Sequence, residues 1–171
     1  VRTVNVEDTT APVITLLGDE ETVTAFGLEY LDSGATAQDL IDGDVSDRIT
    51  VDSSVDTSRL GTYSVQYKAT DKAGNEAGLK VRKVVVKDLV PPRIVLIGKS
   101  TVGVAEGTEY KDLGAIAVDD LDGDVSGNLE ITSDVDISKA GRYYVRYNVG
   151  DSRGNQAIET VREVLVRRDT D

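Results

Sequence analysis

The residues of this 171-residue chain best suited to chemistry are its aspartates. Asp119, Asp120, Asp122 and Asp124 crowd into six consecutive positions, and Asp39, Asp42 and Asp44 stand at matching places earlier in the chain. Calcium is a hard cation that takes about six to eight oxygen ligands, which clustered carboxylates and backbone carbonyls supply. These seven residues, with Asp88 ahead of a later strand, are therefore the candidate metal ligands. The later group is the richer, because it has Asp120 where the earlier has Leu40. The spacing is not that of an EF-hand. Counting from Asp120, the positions that need a glycine and a bidentate glutamate hold Val125 and Ile131. The plain alternative is an Asp-Gly turn whose solvated carboxylates bond their own backbone. Glu7-Asp8 stands at the corresponding linker position before an earlier strand, where an acidic linker could bind calcium with loops of the adjacent module or could be a plain solvated linker. Asp71 and Asp151, followed by Gly74-Asn75 and Gly154-Asn155, read as turn residues.

Other chemistries find little support. The chain has no histidine, cysteine, methionine or tryptophan. Histidine is the usual general base and cysteine the strongest nucleophile, so catalysis lacks its common agents. A formal net charge of -12 argues against nucleic acid, which needs clustered Lys and Arg. No apolar run is long enough to span a bilayer. Tyr30, Tyr63 and Tyr67 could suggest sugar stacking, but Tyr110, Tyr143 and Tyr147 repeat them in place. Repetition on an alternating pattern favours core packing over a carbohydrate platform.

What positions these residues is a duplication. Offset against itself by about 80 residues, the chain aligns without a gap, with roughly 35 identities. Asp42–Ser46 falls on Asp122–Ser126, Gly27–Tyr30 on Gly107–Tyr110, and Asp71, Gly74 and Asn75 on Asp151, Gly154 and Asn155. Val1-Arg2-Thr-Val4-Asn-Val6 has the spacing of Val81–Val86 and Val161–Val166. Residues 1–7 are therefore expected to be the last strand of a preceding repeat or an N-terminal extension. Residues 8–87 form a first module and 88–171 a second.

Within a module the apolar residues alternate, as half-buried strands require. Expected strands lie at Pro12–Leu16, Thr22–Ala25, Gly34–Ala37, Arg48–Val51 and Thr62–Ala69, with a return strand through Leu79, Val81, Val84 and Val86. About seven short antiparallel strands with frequent turns predict an all-β fold of tandem immunoglobulin-like β-sandwich modules. Tyr63 and Tyr143, each opening the penultimate strand, occupy the tyrosine-corner position of that fold. The junction Val86-Lys-Asp88-Leu-Val-Pro91-Pro92 is short and stiffened by proline, which suits a semi-rigid spacer.

The ordered motifs Asp-x-x-x-Pro-x-Ile-x-Leu-x-Gly, Gly-x-Glu-Tyr-x-Asp-x-Gly-Ala, Asp-Gly-Asp-Val and Asp-x-x-Gly-Asn run through both copies. In them the chain resembles the bacterial immunoglobulin-like repeat family of surface and secreted proteins. The resemblance implies a non-catalytic extracellular spacer or stalk at the bacterial cell surface, with neighbouring repeats as its partners. The alternative expectation is a module for adhesion to a surface glycan or protein ligand. Calcium is the one cofactor the residues suggest.

Overall fold

A computed structural model describes residues 1–168 and divides after Asp88 into two compact units. Residues 1–12 carry no regular structure, so the strand-like spacing of Val1–Val6 lies in an irregular, exposed segment. The first unit then runs β1 (Val13–Leu16), β2 (Glu21–Ala25), β3 (Ala35–Asp39), β4 (Gly43–Asp44), β5 (Thr50–Ser53), β6 (Gly61–Lys68) and β7 (Lys80–Lys87). The second repeats the order as β8 (Arg93–Leu96), β9 (Thr101–Ala105), β10 (Ala115–Asp119), β11 (Gly123–Asp124), β12 (Glu130–Ser133), β13 (Gly141–Asn148) and β14 (Thr160–Arg167). Among the described residues there is no α-helix. A single 3-10 turn, Ser46–Arg48 or Ser126–Asn128, precedes β5 and β12. That turn takes up Arg48, so β5 begins two residues later than the alternation suggests.

Each unit is a two-sheet sandwich. In the first, one sheet has the order β1-β3-β4 and the other β2-β7-β6-β5. The chain leaves one sheet and enters the other between β1 and β2, at Gly18, whose φ of 79° lies in the left-handed region that favours glycine. Gly98, at φ 87°, does the same in the second unit. The pairings are antiparallel with one exception per unit. The strand after the crossover runs parallel to the last strand, with Val23 opposite Val85 and Gly103 opposite Leu165.

The inner faces fill with small and branched side chains. Ile14, Ala37, Val45, Val65, Tyr67, Ala69 and Val84 form the first core. Val145, Tyr147, Val164 and Val166 form the larger cluster of the second, and Ala117, Val125 and Val149 a smaller one. Tyr63 closes a tyrosine corner by donating its hydroxyl hydrogen to the Arg59 carbonyl at 2.9 Å, and Tyr143 does so to Lys139 at the same distance. The inward face of the return strand falls on Arg82, Val84 and Val86. Leu79 and Val81 are exposed, and Arg82 is in phase with the buried Val84 and Val86.

A fully buried arginine inside a sandwich needs every donor answered. Arg82 Nε donates to the Asp19 carbonyl at 3.0 Å. One terminal nitrogen donates to Asp32 at 2.5 Å and to the Tyr67 hydroxyl at 2.9 Å. The other donates to the Leu17 carbonyl and to the Gly34 carbonyl, the latter at 3.2 Å. All five N–H groups are thus used. Asp32 in turn accepts from Tyr67, from Tyr30 at 2.8 Å and from the Gly34 N–H at 2.7 Å. Burial alone would raise the Asp32 carboxyl, but the bonds from Tyr67, Arg82, Gly34 and Tyr30 outweigh it and hold it down at about 2. Arg162 repeats the clasp on Asp112, Tyr147, Lys99, Ile97 and Gly114. The guanidinium of the last strand thereby ties down the crossover between sheets and the entry to β3 or β10.

Candidate functional site

At the far end of β3 the polar chemistry is of the opposite kind. Asp39 closes the strand, and its Oδ1 accepts from the N–H groups of Ile41 at 2.8 Å and Asp42 at 2.9 Å. Those bonds fold the chain into the turn that leads to β4. Asp71 begins the loop between β6 and β7, which is narrowed by a bridge between Thr70 and Glu76. Its Oδ1 accepts from the Gly74 N–H at 2.7 Å and the Asn75 N–H at 2.8 Å, and its Oδ2 from the Asn75 amide at 2.7 Å. Burial raises the Asp71 carboxyl, and these bonds more than offset it, leaving it below the ordinary carboxylate range. Asp8, in the segment entering β1, accepts from the Thr10 N–H at 3.0 Å. The Asn75 amide also donates to the Asp8 carbonyl at 3.2 Å, which joins that segment to the loop.

The three aspartates converge. One carboxylate oxygen from each of Asp8, Asp39 and Asp71 lies within 4.8 Å of the other two. Asp39 and Asp71 are buried, at 7% and 2% exposure. Asp39 Oδ2 is fully enclosed and has no hydrogen-bond partner. Among the described residues no lysine or arginine makes an ion pair with any of the three. Carboxylates brought this close repel one another, and burial removes the water that would screen them.

The second unit builds the same loops. Asp119 Oδ1 accepts from Leu121 at 3.0 Å and Asp122 at 2.8 Å, while its Oδ2 is enclosed and without a partner. Asp151 Oδ1 accepts from the Arg153 and Asn155 N–H groups, both at 2.8 Å, and its Oδ2 from the Asn155 amide at 2.6 Å. Asp88, the counterpart of Asp8, is buried as the last residue of the first unit.

Of the ligands expected from sequence, Asp39 and Asp119 thus stand at a convergence, and the other turn aspartates do different work. Asp42 is a strut between the two loops of the first unit, accepting from the Lys72 N–H at 2.7 Å and the Lys72 ammonium at 3.3 Å. Asp122 does the same with the N–H and hydroxyl of Ser152, at 2.6 and 2.9 Å. Asp44 accepts from the N–H and hydroxyl of Ser46 at 2.9 and 2.6 Å, and Asp124 from the Ser126 N–H at 2.9 Å, which start the 3-10 turns. Asp120 is exposed, as is Leu40 in the matching place. Sequence reasoning gave Asp71 and Asp151 to the turn alone. The signal that could have found them was their recurrence together with an Asn whose amide reaches back to them.

Comparison with known proteins agrees with this architecture. The bacterial surface protein Ig-like domain matches twice, over residues 14–86 and 94–166. The chain belongs to that family. Among curated relatives, the pesticidal crystal protein Cry22Aa of Bacillus thuringiensis is 30% identical over 146 residues, covering 78% of this chain and 18% of that protein. The outer cell wall protein of Brevibacillus brevis is 29% identical over 117 residues, covering 58% of this chain and 12% of that protein. An 81.3 kDa protein of Acholeplasma phage L2 is 32% identical over 117 residues, or 66% of this chain and 16% of the phage protein. The chain thus spans less than a fifth of these relatives. A solved structure of the M60 catalytic domain with the CBM51-1 and CBM51-2 domains of Clostridium perfringens ZmpB covers 94% of this chain and 31% of its own. It has a TM-score of 0.51 at 15% identity, a likeness of fold.

Proposed function

We propose that these tandem bacterial surface Ig-like domains serve as non-catalytic spacers in an extracellular protein, holding other domains away from the cell surface. The observation that carries this reading is the direction of the aromatic side chains. Tyr67 and Tyr147 are wholly buried, Tyr63 and Tyr143 close corners, and Tyr30 and Tyr110 bond the aspartates of the arginine clasps. Six of the seven tyrosines are thereby committed to holding each sandwich together. A surface that recognises a glycan by stacking needs such rings on the outside. The shortage of catalytic residue types supports the same reading.

Adhesion to a glycan or protein is the second reading, and one observation favours it. Tyr144 lies outside the cores with the Arg146 guanidinium 5.2 Å from its ring centre, beside Thr132, Ser133 and Asp134. The first unit has Ser64 and Gln66 at the matching places, so this surface is peculiar to the second copy. A glycan array probed with the whole chain separates the two. Background signal on all glycans is expected of a spacer. A saturable hit that disappears in Tyr144→Ala would replace the spacer reading with adhesion.

A further inference from the structure

We propose that Asp8, Asp39 and Asp71 bind a hard divalent cation, calcium by the chemistry of the donors, and that Asp119 and Asp151 prepare the same site in the second unit. Three features argue for it. The first is the donor set: three carboxylates converge here, and the chain has no histidine or cysteine to hold a softer metal. The second is the separation. Oxygens that share a calcium ion at about 2.3–2.6 Å stand no more than about 5.2 Å apart. The three carboxylates already meet that condition, with oxygens within 4.8 Å of one another.

The third is the enclosed oxygen. Asp39 Oδ2 has neither water access nor a hydrogen-bond donor, and Asp119 Oδ2, eighty residues on, has the same fate. Buried polar atoms are almost always partnered. Two orphans at one repeated position mark a feature of the module rather than an accident of one copy. The surroundings hold the ligands in place. Oδ1 of each of the three aspartates is fixed by backbone N–H groups. Asp42 locks the Asp39 turn to the Asp71 loop through Lys72. A cation would then tether the segment entering β1 to two loops of the sandwich. The site goes beyond the spacer reading and does not depend on it, since a calcium-bound module could equally carry a ligand.

The test is titration of the metal-stripped whole chain with calcium chloride, followed by calorimetry and by thermal unfolding. Binding with a dissociation constant of about 0.1–1 mM, the range of extracellular calcium modules, and a rise of several degrees in Tm are expected. Asp39→Asn keeps the Oδ1 acceptor that folds the turn and neutralises the enclosed oxygen. Its Tm in EDTA should equal or exceed that of the parent, and the calcium sites per chain should fall by one. Asp8→Asn, in an irregular segment whose change does not threaten the sandwich, should weaken calcium at the first unit at least tenfold. Asp44→Asn, outside the cluster, should leave binding intact. No heat and no Tm shift at millimolar calcium would overturn the proposal, as would an undiminished number of calcium sites in Asp39→Asn together with an unchanged first-unit affinity in Asp8→Asn. Saturation by magnesium with none by calcium would overturn the choice of ion.

Discussion

The two ends of β3 handle buried charge in opposite ways. At the Gly34 end, Arg82 meets Asp32, and every N–H of the guanidinium has an acceptor. At the Asp39 end, negative charge gathers without a protein cation and one oxygen is left enclosed and unanswered. The first end is complete within the chain. The second is arranged as though its last partner arrives from solution. Both patterns recur in the second unit, so the contrast belongs to the module.

The sharpest way to break the comparison is to damage the complete end. Arg82→Met should strand Asp32 and cost about 3–5 kcal/mol of the first unit's stability, read by chemical denaturation. A loss under about 1 kcal/mol would mean that the clasp is ornamental. The same substitution should leave calcium binding at the other end unchanged wherever the unit stays folded.

Acid offers the next largest effect. The Asp32 carboxyl is held at about 2 in the folded unit, below its unfolded value of about 4. A group with a depressed folded pKa contributes its stability above the unfolded value and loses it as pH falls through the folded one. Unfolding midpoints should therefore drop between about pH 4 and pH 2. Asp32→Asn should flatten that slope while lowering stability at neutral pH. An unchanged slope would detach Asp32 from the acid response.

Smaller effects sharpen the picture. Tyr63→Phe removes one hydroxyl bond to Arg59 and should cost about 1 kcal/mol in urea unfolding. Tyr144→Ser, on the outer face of the second unit, should change stability by less than about 0.5 kcal/mol.

The sequence made most of the frame readable because alternation is a local signal. Tyr63, Val65, Tyr67 and Ala69 turn inward as their spacing implies, and the tyrosine corners form where a glycine opens the penultimate strand. Arg82 was hidden for a physical reason. Charged side chains are seldom buried, so the alternation of β7 is easily read from Val81 rather than from the arginine two places before Val84. The acidic site was half legible. Asp39 and Asp119 stand in dense local clusters, but Asp8 and Asp71 come from distant stretches and meet only once the sheets are stacked. Asp42, Asp44, Asp122 and Asp124 are as acidic and as close in sequence, yet they bond backbone and side chains of their own or neighbouring loops. Proximity along the chain cannot tell a ligand from a strut.

The parallel pairing of β2 with β7, and of β9 with β14, has a mechanical consequence. The first strand to enter the larger sheet and the last to leave it lie side by side and point the same way. A pull on the two ends of a unit would slide them past each other lengthwise, loading their hydrogen bonds together rather than opening them one at a time. Resistance to forced unfolding follows the unfolding barrier, not equilibrium stability. A module of modest thermal stability can therefore hold under tension if this seam is intact. Proline at Val85, which removes the seam's backbone donor at that residue, should lower the rupture force in single-molecule pulling.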